Sequence, residues 1–273
     1  MDVWGKCPKN DEMGFPAPPE VIYKYFHPER SNILKDLKIR FSNPSSFNDP
    51  FEGRPRFDQL VEQKIDEEVK KHVVANTQLG ISAEKTLKFH EDNKKQTLSN
   101  HINNYSNGFQ KDFGEQFRML CFSESIQSPL MWGHYSDSQR GFALGFYTGH
   151  PFFHKRLVNV HYDEKRPCVE EKEKIIWTKN NEWKYENEWR VIQNVVSAEP
   201  HYEILPVVCI EAVYFGLRIS PTVRREIEIA LDSSNHADIK KFTMTLDHAE
   251  YRLKPIPFQK SFVNEDWWIG EGI

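Results

Sequence analysis

The sequence predicts an α+β domain carrying a helical insertion, and three observations lead there. Short runs rich in β-branched and aromatic residues recur along the chain, at residues 21–26, 39–42, 157–162 and 210–215. A central stretch, residues 119–146, joins two such runs through an aromatic turn. Residues 58–110 instead place apolar groups at helical spacing in a charged background.

Bulk properties narrow the class. The 273 residues suffice for one large domain, or one domain with an insertion, that buries a real core. No run reaches the roughly 18 apolar residues of a membrane span, and no basic segment leads into an apolar one as in a secretory signal. Cys7, Cys121, Cys168 and Cys209 lie far apart with no CxxC pair, which suits a reducing cytoplasm and argues against a zinc knuckle. A net charge of -4 removes the main cue for a general nucleic-acid binder while leaving room for a local basic patch. Aromatic residues reach 13%, which suits either a ring-binding cleft or a well-packed core.

Taken in order, residues 1–19 carry Gly14, Pro16, Pro18 and Pro19 without periodicity and read as an arm before a single domain over 20–273. Residues 21–26 are the first strand, 32–37 a helical turn, and 39–42 a second strand. The segment 43–52 is rich in turn formers yet holds Phe47 and Phe51. Two aromatic anchors predict a loop pinned to the body with Asn48, Asp49 and Glu52 held in place. Val61, Ile65, Val69 and Val73 mark one helix, and Ser82 caps a second that carries Leu87, Leu98, Ile102 and Tyr105. Together they make the insertion 58–110, whose charges are read as a solvated face.

The central stretch reads as a strand ending at Ser123, Glu124 and Ser125, a short helix with Met131, Trp132, His134 and Tyr135, and a strand broken by Gly141 and Gly145. Singly, Met131 and Trp132 read as core and His134 as a satisfied hydrogen-bonder. As a group beside a serine-lined strand end they equally suit a pocket wall. Further on, 157–162 is a strand, 168–178 a helix and 183–192 a strand. There Tyr185, Trp189 and Val191 alternate with Glu186, Glu188 and Arg190. Residues 201–208, 210–215, 242–246 and 251–253 complete the strands, 221–231 is a helix, and Trp267 and Trp268 close the chain docked on the body.

Glu186, Glu188 and Arg190 form the sharpest chemical constellation. One reading is a surface ion-pair ladder on an edge strand. The flanking Trp183, Tyr185 and Trp189 favour partial burial, where an arginine keeps a carboxylate ionised beside a substrate. His150 and His154 have metal-ligand spacing, but Pro151 and the lack of a third ligand leave them structural or surface groups. The glycines at 141 and 145 lack a dinucleotide fingerprint, and Ser123 lacks a nucleophile elbow. Cys121 alternates into an apolar strand and reads as core.

The segments Phe47-Asn48-Asp49-Pro50-Phe51-Glu52, Cys121-Phe122-Ser123, Met131-Trp132-Gly133-His134-Tyr135-Ser136 and Tyr185-Glu186-Asn187-Glu188-Trp189-Arg190 together resemble bacterial domain-of-unknown-function family 2971 over about residues 20–260. The order of a Tyr-containing first strand, a middle strand ending in Ser with an aromatic helix, and a late strand with Glu is more distantly similar to the ADP-ribosyltransferase fold, in its DNA- and RNA-modifying toxin branch. That resemblance implies a mixed, mostly antiparallel split sheet and NAD as substrate, with no metal. It implies that Lys24 and Tyr25 grip the dinucleotide, although the usual first-strand His is absent. Ser123, Trp132 and Tyr135 would surround nicotinamide, Glu188 (or Glu186) would complete the site, and Arg190 or Arg40 would meet the pyrophosphate.

The expected activity is an NAD-consuming ADP-ribosyltransferase or NAD glycohydrolase of the toxin or phage-defence type, cytoplasmic and without a membrane partner. Its acceptor would be a nucleic acid, a nucleotide or a protein side chain. Two other readings stand beside it: a metal-dependent nuclease built from Asp49, Glu52, Glu186 and Glu188, and a non-catalytic nucleotide-binding or partner-recognition domain.

Overall fold

A computed structural model describes residues 16–153, 156–195, 201–233 and 239–258. The N-terminal half runs β1 (Val21–Phe26), α1 (Ile33–Asp36), β2 (Lys38–Phe41), α2 (Asp58–Gln78), α3 (Ala83–Gln116), β3 (Phe117–Ser123), α4 (Pro129–Tyr135) and β4 (Phe142–Tyr147). The remainder runs β5 (Leu157–Asn159), β6 (His161–Asp163), α5 (Lys172–Trp177), β7 (Thr178–Asn180), β8 (Glu188–Asn194), β9 (His201–Ile204), β10 (Ile210–Phe215), α6 (Pro221–Ser233), β11 (Lys240–Leu246) and β12 (Leu253–Pro257). The expected α+β class is what forms. The arm through residue 15, His154 and the two terminal tryptophans lie outside the described residues.

Eight strands make one mixed sheet in the order β12-β11-β10-β4-β1-β3-β8-β5, antiparallel except for the β10–β11 pair. Two-stranded ribbons, β2–β9 and β6–β7, stand beside it. β1 pairs with β4 along all six of its residues but meets β3 in register only at Tyr23 and Ser123. The sheet therefore parts between β1 and β3, and that parting positions the candidate site.

Both faces of the sheet are covered. Ile22, Phe122, Leu144 and Val213 pack on one side with Ile33 and Leu34 of α1 and Ile227 and Leu231 of α6. Tyr25, Ala143, Tyr214 and Met244 pack on the other with Met131 and Trp132 of α4. With cover on two sides the central strands need no polar face, so simple alternation is lost: residues 188–192 are all buried.

Two helices, α2 and α3, lie in the stretch between β2 and β3, and the second runs six residues past the expected end. Ser82 caps α3 as predicted, its Oγ accepting from the Lys85 N–H at 3.3 Å. The last turn is held because Phe113 and Phe117 pack with Met119, Trp177 and Ile192. At the far end Leu79, Ile81, Leu87 and Phe89 are exposed.

Several expected strands are corrected. Residues 183–192 do not form one strand: a 3-10 turn (Asn181–Glu186) ends at Asn187, whose φ of 42° breaks the chain before β8. Asparagine tolerates this left-handed conformation better than most residues. The run 157–162 divides between β5, in the large sheet, and β6, paired with β7. Strand 201–208 stops at Ile204 and gives way to a short 3-10 turn. The last strand starts at Leu253, with Tyr251 wholly exposed in the turn before it. No helix among the described residues is long and apolar enough to cross a membrane.

Candidate active site

The parting of β1 from β3 opens a cleft of about 810 Å³, the open solvent at its mouth included. Tyr23, Lys24 and Tyr25 form one wall and Cys121, Phe122 and Ser123 the other. Tyr135 at the end of α4 and Phe47 and Asn48 after β2 close the sides, and Glu186, Glu188 and Lys179 lie at the base. The acidic segment and the tryptophan–histidine–tyrosine turn thus meet at a shared hollow through Glu186 and Tyr135.

Strand register explains the meeting. Ser123 stands opposite Glu188, and Cys121 opposite Arg190, across the β3–β8 ladder. The backbone break at Asn187 then turns Glu186 inward, where its carbonyl accepts from Ser123 Oγ at 2.6 Å. Lys24 reaches across the opening and donates from Nζ to the Cys121 carbonyl at 3.1 Å.

The charged groups form a chain of alternating sign. The Tyr135 hydroxyl donates to Oε1 of Glu186, and Lys179 Nζ donates to Oε2 of the same carboxylate. Lys179 also donates to Oε2 of Glu188 at 3.0 Å. Arg190 binds Glu188 through Nε at 2.8 Å and Nη2 at 3.2 Å. Its Nη1 and Nη2 hold the two oxygens of Glu52 at 2.7 and 2.9 Å, and Nη1 donates to the Ile176 carbonyl at 2.9 Å. All five charged side chains are buried. Well-packed apolar residues would serve the fold about as well as such a network, so stability alone does not account for it.

The environment separates the two carboxylates nearest the cleft. Burial alone would raise the pKa of Glu188, but Arg190 and Lys179 outweigh it and hold the group well below the usual carboxylate range. Glu186 moves the other way: burial, helped by the negative charge of Glu188, raises it despite Lys179. Burial also raises Glu52 against the pull of Arg190, and it lowers Lys24 below the ordinary lysine value.

Of the residues singled out in the sequence, Lys24, Tyr25, Asn48, Ser123, Tyr135, Glu186 and Glu188 line this cleft. Others do not. Arg190 is wholly buried behind Glu188 with its donors engaged, so it braces the site rather than receiving a pyrophosphate. Glu52 stands behind Arg190. Arg40 is exposed on β2, opposite Tyr202 in the small ribbon.

Trp132 is core, not wall: it is 0% exposed, its indole N–H donates to the Ile126 carbonyl at 2.7 Å, and its ring meets Tyr25 edge-on at 5.0 Å. Helical geometry sends His134 outward, exposed and 6.0 Å from Tyr185. In the loop 43–52 the pinned groups are Asp49 and Glu52, while Phe51 is 49% exposed. Asp49 accepts the Phe51 N–H at 2.8 Å and faces a neighbouring hollow. Cys121, expected in the core, lines the cleft, and burial lifts its thiol well above its usual range.

The carboxylates proposed for a nuclease are each matched to a cation or turned away. Among the described residues no group of three or more His, Cys, Asp or Glu is arranged to hold a metal.

The sequence reading missed Lys179. It sits in β7 with Trp183 over its ammonium at 4.9 Å, and its one signal is a lysine seven positions before Glu186 in a segment fit for burial. Tyr162, whose hydroxyl accepts the Glu188 N–H at 2.9 Å, was missed as well. Comparisons with protein-family models, with curated proteins and with solved structures gave no match to this chain.

Proposed function

We propose that the chain cleaves the nicotinamide–ribose bond of NAD, as an ADP-ribosyltransferase or an NAD glycohydrolase. The observation that carries it is the pair Glu186 and Glu188: two carboxylates with opposed pKa shifts at the base of a cleft that also holds Lys24, Ser123 and aromatic walls.

The chemistry follows from the opposed shifts, since unlike environments assign unlike roles to paired carboxylates. When the C–N bond breaks, its electron pair goes to the nicotinamide ring nitrogen, which leaves neutral and needs no proton. Positive charge develops on the ribose carbon and ring oxygen. Glu188, kept ionised by Arg190 and Lys179, stabilises that charge as it forms. Glu186, with the higher affinity for a proton, takes the one released by the attacking acceptor or water. Tyr23, Tyr135 and Phe47 offer ring faces to nicotinamide in place of Trp132. Lys24 offers a cation to a phosphate.

Incubation with NAD labelled in the nicotinamide ring tests this. Label is released by the wild type and not by Glu188→Gln. Absence of turnover in every cellular extract supplied as acceptor sinks the proposal.

A further inference from the structure

A second hollow adjoins the first, and Lys179 lines both. The loop after β2 divides them: Asn48 faces the cleft, whereas Asp49, Phe51 and Arg54 face the second hollow. Lys165 and Arg166, after β6, form its other side. Its volume, with the open solvent at the mouth included, is about 600 Å³.

Beside Lys179, three cations, Arg54, Lys165 and Arg166, and three carboxylates, Asp49, Asp163 and Glu164, line this hollow. None of the three cations has a carboxylate within ion-pair distance among the described residues. Arg54 donates from Nη2 to Oε1 of Gln110 while its Nε is buried with no hydrogen-bond partner, and Lys165 acts on Asp163 only at longer range. Two of the three carboxylates are engaged. Asp49 accepts the Phe51 N–H at 2.8 Å, and Asp163 accepts the Lys165 N–H at 2.9 Å while facing His161 at 3.8 Å. Among the described residues Glu164 has no side-chain partner. The half-exposed ring of Phe51 lies 5.4 Å from the Arg166 guanidinium, so one flat side chain and one planar cation share the mouth.

We infer that this second hollow seats a nucleotide unit, with its base against Phe51 and its phosphate on Arg166 and Lys165. Aromatic faces with adjacent guanidinium groups receive bases irrespective of sequence, and unpaired cations receive phosphate. As the acceptor seat, this rests on the NAD-cleaving reading. As a binding site, it stands independently. Lys179 is the shared wall across which an acceptor would approach the ribose held over Glu186 and Glu188.

The test uses the full chain and two probes, a mononucleotide and a fluorescent single strand of ten nucleotides, followed by calorimetry and anisotropy respectively. Phe51→Ala and Arg166→Glu alter exposed side chains and are each expected to weaken binding by about tenfold or more. Lys24→Met, in the neighbouring cleft, is expected to leave the affinity that depends on Phe51 and Arg166 intact. A mononucleotide that binds identifies free nucleotide as the source; a strand that binds alone identifies nucleic acid. Either supports the site when the affinity falls in Phe51→Ala or Arg166→Glu.

Binding of neither probe overturns the inference. So does affinity that survives both Phe51→Ala and Arg166→Glu, or capture of an arginine-rich peptide through Glu164 in place of nucleotide. Nicotinamide release by the wild type is scored separately. Nucleotide binding without release removes the enzymatic reading and keeps the site; release without nucleotide binding does the reverse.

Discussion

Lys179 Nζ lies 3.0 Å from Oε2 of Glu188, although the two residues come from different strands of different sheets. The lysine also holds Glu186, so a single ammonium keeps two buried carboxylates side by side. Without it, Glu186 and Glu188 would repel each other in a medium that screens charge poorly.

Lys179→Met is therefore expected to destabilise the fold by roughly 3–5 kcal/mol at neutral pH, the range for breaking a buried ion pair by removing one partner. Protonation of Glu186 relieves the repulsion, so the loss should shrink as pH falls. Urea denaturation at pH 7 and pH 5 measures it, and an equal loss at both values contradicts this account.

Arg190→Met strands Glu52 and Glu188 together, and a loss of about 3–5 kcal/mol is expected again. Arg40→Met alters an exposed side chain of the small ribbon and is expected to leave the melting temperature unchanged. Comparable effects from the two variants would refute the assignment of Arg190 as the brace.

The pH dependence of stability has a definite sign at Glu188. Its folded pKa is depressed, so the stabilisation it contributes is complete above the ordinary glutamate value of about 4.3 and is lost as pH falls below it. The stability gap between wild type and Glu188→Gln should narrow on acidification from pH 7 to pH 3. A widening gap contradicts the shift.

Activity should follow Glu186. Because burial and Glu188 raise its pKa, kcat/KM for nicotinamide release should fall on the acid side with a midpoint above the ordinary glutamate value. Glu186→Gln should remove that limb and slow release by about 10²–10⁴-fold. An unchanged profile in this variant would reassign the proton acceptor.

Trp132→Phe removes the donor to the Ile126 carbonyl at a fully buried position. Loss of about 1–3 kcal/mol of stability is expected, from the unsatisfied carbonyl and the smaller ring. KM for NAD should be unaffected, since the indole lies behind the cleft. A raised KM at unchanged stability would return Trp132 to the wall.

The sequence by itself determined the class of fold, the two helices after β2 and the acidic residues that line the cleft. The reason is local: the four-residue spacing from Val61 to Val69, the β-branched and aromatic runs and the serine cap at position 82 are encoded within a few neighbouring positions. Only tertiary structure decided which polar groups meet. Trp132 and Tyr135, three positions apart, share one face of a short helix, yet Trp132 packs edge-on against Tyr25 in the core while Tyr135, at the helix end, reaches Glu186. Glu186 and Glu188 looked like strand neighbours, and they converge because a left-handed Asn187 and a lysine from another ribbon bring them together. Lys179 was illegible because its role depends on the register of β6 with β7 and of β3 with β8. Pairing between distant segments is set by how the whole core packs, not by the residues beside it in the chain.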